Sequence, residues 1–374
     1  MDFHNSAPRP PESQSAYKNK NDNSLPEECA LKVRYLVGCL AGLGLAAAAA
    51  IAVSMPGEAP PSGDPIVIKF SHVVAPDTPK GKAAEKFRDL AERLTGGAVK
   101  VQVYPNSELY KDKEELEALQ LGAVQMLAPS LAKFGALGVK EFEAFDLPYI
   151  FQGYDALHKV TGGEVGARLF ARLEDKGIKG LAYWDNGFKI MSANQALIHP
   201  TDYRGLKMRI QASKVSAAQM EALGALPQAM GFSDVHQALQ SGLVDGAENT
   251  PSNLYTQRMH EVQSHLTVTN HGYLGYAVIV NKAFWDQLPD DIRDQLEAAM
   301  KQATDFGNQI AAKENEDALE RIREAGQTQM HEPTEEERNE MIAALLPVHQ
   351  QMAELIGQDT IDAIYQATGF QLTQ

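Results

Sequence analysis

The chain has 374 residues, 44% of them apolar, which is more than one small domain needs and enough for two packed cores. Its formal net charge is −15, and the first 52 residues carry five basic and five acidic side chains, so the excess lies in the remainder. Such an acidic body excludes nucleic acid and anionic membrane surfaces as partners, and any anion it binds requires a local positive pocket. Both cysteines, Cys29 and Cys39, lie near the N-terminus, so the rest of the chain has neither a disulfide nor thiol chemistry.

Residues 1–30 are polar and rich in Pro, Ser and Asn, a composition that does not build a core. Lys32 and Arg34 then precede the apolar run Tyr35–Val53, which ends among small residues. This is the pattern of a secretory signal peptide, and its length also suits a retained membrane anchor. A Pro/Gly-rich linker, Met55–Asp64, follows.

The β-branched run Pro65–Val73 predicts a first strand, and Thr78-Pro79 predicts a capped helix running to Leu94. Lys80 sits in the first turn of that helix, where the helix dipole disfavours a cation unless something anionic faces it. Val99–Tyr104 predicts a second strand, Asp112–Gly122 a helix and Val124–Ala128 a third strand. Strand alternating with helix indicates an α/β parallel sheet, whose ligands sit beyond the carboxyl ends of the strands. That nominates His72 and Ser130, although a loop histidine packed for structural reasons fits His72 as well.

A helical stretch over Tyr154–Lys176 leads to a strand, Gly180–Trp184, and a turn is expected at Asn186-Gly187, placing Lys189 at the start of another strand. Leu206–Ile210 predicts a strand carrying Lys207 and Arg209 on one face. Ser213 caps a helix to Leu223, Ser233 caps the next helix, and Asp245-Gly246 turns the chain into Glu248-Asn249. Taken alone, a strand arginine fits a solvated surface as well as a ligand clamp, and Phe232 fits a core. His271 through Val280 predicts a strand crossing between domains. One helix is predicted from Asp290 to about Ala325, some 54 Å at 1.5 Å per residue, long enough to span two domains with a bend at Gly307. Thr334-Glu335-Glu336-Glu337 opens a final pair of amphipathic helices ending near Gln366. No repeat, phosphate loop, zinc spacing or nucleophile–base grouping is visible, so neither catalysis nor a cofactor or metal is expected.

The succession NGFK…SAN, DYRGLKMRIQAS, LGALPQAMGFSDVHQALQSGLVDGAEN and TNHGYLGYAVIVN resembles the solute-binding proteins of tripartite ATP-independent periplasmic transporters, the DctP family, from about Ile66 to Glu332. The resemblance implies a two-domain periplasmic-binding-protein-like flytrap with crossing strands and a long hinge helix. It places residues 1–64 in the leader and linker, 65–186 plus 275–314 in the first domain, and 187–274 plus 315–374 in the second. Arg209 matches the family's carboxylate-binding arginine, Asn249 its supporting amide and Phe232 the aromatic beside the ligand. NGFK is similar to the branch binding malate, succinate or fumarate. Lys189 is expected on the second carboxylate, with His72, Ser130 and Lys80 lining the first domain's side. A sugar acid or 2-oxo monocarboxylate is the alternative ligand. The resemblance further implies a periplasmic protein serving small and large integral membrane subunits, with a sensory role beside a receptor kinase as the alternative; a monomer is expected in preference to a dimer, although some members of the family dimerise.

Overall fold

The computed structural model describes residues 63–372, so the expected export segment, Tyr35–Val53, lies outside the described residues. The strands form two mixed sheets, one per lobe, both belonging to one unit of the chain. In the first sheet the order is β2 (Val99–Tyr104), β1 (Ile66–Ser71), β3 (Met126–Leu127), β10 (Tyr273–Asn281), β4 (Ile178–Phe188). The second sheet runs β11 (Gln329–His331), β9 (His265–Thr267), β5 (Ile190–Ala193), β8 (Gly246–Asn249), β6 (Lys207–Ile210), β7 (Leu226–Ala229). β1 pairs in parallel with β2 and β3, as the strand–helix–strand pattern predicts, while β10 inserts antiparallel between β3 and β4.

Only Lys189 separates β4 from β5, so one nearly continuous strand carries the chain from lobe to lobe. The expected turn at Asn186-Gly187 is absent. Those residues continue β4, paired to β10, and a Cβ on Gly187 would lie 2.6 Å from the Asn315 amide nitrogen. Glycine is there for close approach to the long helix, not for a turn. The crossing is bonded rather than hinged freely: Asn315 donates to the Asn186 carbonyl at 2.7 Å and accepts from the Ser252 amide at 2.9 Å.

Local signals set the helices. Thr78 caps Pro79–Leu94 by accepting from the Gly81 amide at 3.1 Å, with Pro79 opening the first turn. The long helix spans Asp290–Ala325, packing on helix Pro79–Leu94 and β4 at one end and on helix Pro251–Thr256 at the other. Gly307 marks its crossing with the first helix, where a Cβ would come 2.9 Å from that of Ala83. The stretch expected over Tyr154–Lys176 divides into Tyr154–Thr161 and Glu164–Glu174 around two glycines.

At the C-terminus the capping box forms at Thr334 and Glu337, but three helices follow instead of two: Glu335–Leu345, Pro347–Ile356 and Gln358–Thr368. The last packs on helices Tyr154–Thr161 and Glu164–Glu174, burying Ile361 and Ile364 in the first lobe's core. The expected assignment of 315–374 to the second domain is corrected on this point, because those apolar side chains find their cover on the other lobe.

The lobes also share a unit that the sequence reading missed. Ala118-Leu119-Gln120 and Ala238-Leu239-Gln240 each end a short helix, followed by a glycine with left-handed φ, Gly122 at 76° and Gly242 at 70°. The amides of Ala123 and Leu243 donate to the carbonyls of Ala118 and Ala238, both at 2.9 Å, and each chain then enters a strand of its sheet. Two copies of one supersecondary unit therefore face each other across the cleft.

Because Gly307 lies at a backbone crossing, Gly307→Val overpacks it. The variant is expected to lose about 1–3 kcal/mol of unfolding free energy in urea titrations. A wild-type midpoint in the variant would show that the helices separate without cost.

Candidate ligand-binding site

Arg209 lies in β6, where the alternation Lys207 out, Met208 in would leave a solvated arginine if that face met water. It does not, and Arg209 is only 2% exposed because the first lobe covers it. Its Nε and Nη2 both donate to the Met230 carbonyl, at 3.1 and 2.7 Å, and its guanidinium lies 6.0 Å from the Phe232 ring centroid. Burial pulls the guanidinium pKa down, against the pull of Asp112 and Glu248. Asn249, closing β8, accepts from the Thr250 amide and from Asn253 through its oxygen. Asn249 lines the interlobe pocket.

The first lobe supplies the opposing cations. Lys80 is 1% exposed, with its ammonium donating to the Ala128 carbonyl at 3.0 Å and lying 3.8 Å from the Tyr276 ring centroid. Burial, then the repulsion of Lys133, lowers its pKa to about 7. Lys133 pairs with Asp112 at 2.5 Å and with the buried Glu115. Lys80, Lys133, Asp112 and Tyr276, with Arg209, Ser130, Gln211, Phe232, Asn249 and Asn253, line one small interlobe cavity of about 20 Å3. Ser130 donates across the cleft to Gln211.

The sequence-derived residues thus divide. Arg209, Asn249, Phe232, Ser130 and Lys80 converge on this cavity. His72 is buried behind its wall, close enough to Lys80 for burial and that charge together to hold its pKa at about 3 against a contact with the Val74 backbone. The adjacent Val73 and Val74 supply the lining.

Lys189 does not reach the cavity, which corrects its expected place on a second carboxylate. Its ammonium pairs with Glu248 at 2.7 Å and with Asp146 at 3.5 Å, and all three are buried. Burial opposes its charge, but the two carboxylates outweigh it and raise the pKa. His271 completes the cluster, 3.2 Å from Glu248 through Nε2 and 2.7 Å from Thr269 through Nδ1. Strand alternation explains the outcome: Asn249 and Glu248 are neighbours on β8, so one faces the pocket and the other faces away, toward Lys189.

Lys133, Asp112, Gln211, Asn253 and Tyr276 were not anticipated. The one available signal was Lys133, a cation three residues beyond Ser130; the others depend on which elements meet across the cleft. A larger groove of about 550 Å3, walled by Phe170 and Tyr183, lies on the outer side of the first lobe, away from Arg209.

Since Lys189 is a structural ion-pair member, Lys189→Met leaves two buried carboxylates uncompensated. The expected cost is about 3–5 kcal/mol of stability in urea unfolding. A variant of full stability would return Lys189 to the list of ligand contacts.

The family model described as bacterial extracellular solute-binding protein, family 7 (DctP), matches residues 70–355. The chain is 65% identical over 335 residues to the C4-dicarboxylate-binding periplasmic protein DctP of Rhodobacter capsulatus, covering 90% of this chain and 98% of that one. Among solved structures, it resembles a succinate-bound periplasmic solute-binding protein of Shewanella oneidensis with a TM-score of 0.79 and 42% identity, over 82% of this chain and 100% of the other. An L-malate-bound counterpart from Pseudomonas aeruginosa PAO1 gives a TM-score of 0.75 at 42% identity, over 77% of this chain and 100% of the other. The likeness covers both lobes and their crossings as well as the arginine motif, and the chain belongs to the DctP family of bacterial extracellular solute-binding proteins.

Proposed function

We propose that this protein binds a C4-dicarboxylate such as succinate, malate or fumarate between its lobes and delivers it, chemically unchanged, to integral membrane subunits. One observation carries the reading: Arg209 and Lys80, one from each lobe, are buried cations that make no ion pair among the described residues. Each is held only by a carbonyl, with an aromatic ring beside it. Two desolvated charges so placed match a short molecule with a carboxylate at each end, because a buried charge is tolerated when paired. Arg209 offers a planar fork for one carboxylate, supported by the Asn249 amide. Lys80, with Lys133 and Ser130 beside it, serves the other.

The cavity of about 20 Å3 holds no more than a water-sized body, so admitting a C4 acid requires the lobes to part or the cations to leave their carbonyls. Closure over the ligand would then be favoured because only the closed form contacts it from both sides. Export is supported by the basic-flanked apolar run Tyr35–Val53 and by the family's extracellular description. Among the described residues no helix is long and apolar enough to cross a membrane. Delivery is read as the work of a monomer.

Calorimetric titration of protein stripped of ligand by unfolding and refolding tests the substrate. One-to-one heats are expected for succinate, L-malate and fumarate, and little for pyruvate or galactonate. The reverse ranking would retain the site and discard the C4 acid. Arg209→Ala is expected to weaken succinate by roughly 2–5 kcal/mol, thirtyfold or more, without unfolding the protein. Normal affinity in that variant would remove Arg209 from the site.

A pH effect follows from Lys80. Its ammonium, poised at about 7 in the free protein, gains a carboxylate partner on binding, which raises its pKa. Binding above pH 7 therefore takes up a proton, and affinity falls as pH rises, by up to about tenfold per unit. Titrations in buffers of different ionisation enthalpy should show this uptake in the parent and not in Lys80→Met.

A further inference from the structure

Asp112 stands where the pocket meets the surface. It lines the interlobe cavity together with Lys133, Arg209 and Gln211, and the same four residues line an outer groove of about 320 Å3. The groove continues past Met230 and Gly231 on one lobe and past Leu116 and Leu137 on the other. The inner cavity and the groove thus share these four residues as a common wall, and the groove lies on the outer side of the Arg209 side chain.

The carboxylate of Asp112 bridges the two lobes at this point. One oxygen accepts the backbone amide of Phe232 from the opposite lobe at 2.7 Å, and the other pairs with Lys133 of its own lobe at 2.5 Å. Beside it, Lys111 reaches Asp234 across the same cleft at 3.0 Å. Asp112 and Phe232, the latter opening a 3-10 turn, belong to the two segments that precede the repeated helices Glu115–Gln120 and Val235–Gln240, so equivalent segments of the two lobes meet here. Arg209 grips the same second-lobe loop through the Met230 carbonyl. The segment 230–234 is therefore held from inside by the pocket arginine and from outside by Asp112.

We propose that Asp112 is a positioning residue that clasps the lobes at the Phe232 amide and bars the passage between pocket and groove, so that it sets how long a bound ligand stays. The inference rests on the carboxylate-binding reading for its ligand but on the cross-cleft hydrogen bond for its mechanism. Opening the lobes must break that bond, and breaking it unites the cavity with the groove. The charge needed for a strong bond is present: burial would raise the Asp112 carboxyl, but Lys133, the Phe232 amide and Arg209 outweigh it and hold its pKa at about 2.

The test uses the full chain and two variants. Asp112→Ala removes the acceptor, whereas Asp112→Asn keeps an oxygen for the Phe232 amide. Succinate dissociation by stopped flow is expected to be at least about tenfold faster in Asp112→Ala, with association changed much less, and within about threefold of the parent in Asp112→Asn. In ligand-free protein, hydrogen exchange of segment 230–234 by mass spectrometry should accelerate in the Ala variant and remain near parental in the Asn variant. Parental dissociation and exchange rates in Asp112→Ala would overturn the clasp, as would an Asn variant as fast as the Ala variant in both. If the parent binds no succinate, the dicarboxylate reading fails, while the exchange measurement still decides the clasp.

Discussion

Arg209 and Lys80 carry charge where water cannot screen it, and much of the architecture exists to keep them there. Burial lowers the pKa of both, and among the described residues neither makes an ion pair. Their partners are carbonyls, Met230 for one and Ala128 for the other, which orient a cation without cancelling it. Each is set on a rigid element, β6 and the first turn of helix Pro79–Leu94. The lysine in that first turn, unfavourable for the helix dipole, is thereby intelligible: it is held by what it faces rather than by its own helix.

Two such charges from opposite lobes repel each other unless an anion lies between them, so the joints must tolerate a change of spacing while preserving alignment. The joints are built from backbone continuity and buried polar networks. β4 runs into β5 through Lys189, β10 returns, and the long helix rides across both lobes with Asn315 bonded to the crossing strand and to helix Pro251–Thr256. The Lys189–Glu248–Asp146 cluster pins the crossing from within, joining the 3-10 segment Lys140–Asp146 of one lobe to β8 of the other. Buried ion pairs add little net stability over apolar packing but penalise misregister heavily. That suits a hinge whose strands must return to one register.

The cleft has a related economy. The repeated helix–turn–strand unit puts equivalent loops at its rim, and its strand ends beneath supply Ser130 on one side and Asn249 on the other. Asp112 belongs both to that rim and, through Lys133, to the cationic floor. Lobe contact and pocket charge are therefore linked by one side chain.

The sequence by itself determined what depends on neighbours a few residues away. The Thr78 and Ser213 caps, the limits of the long helix at Asp290 and Ala325, the parallel β1–β2–β3 arrangement and the strand arginine in its DctP-like motif were all legible. Caps, periodicity and contiguous motifs are short-range, and they survive folding when nothing distant opposes them. Tertiary structure alone decided the partners of buried charge. Lys189, 59 residues from Glu248, reads as a second anion ligand until β5 and β8 pair and place the carboxylate against it. Asn186-Gly187 reads as a turn until the Asn315 amide is found packed on the glycine. Helix Gln358–Thr368 follows the second lobe in sequence yet belongs to the first, because that is where its apolar face is covered. In each case the deciding contact joins residues dozens to hundreds of positions apart, and no local pattern encodes which of several possible partners will be within reach.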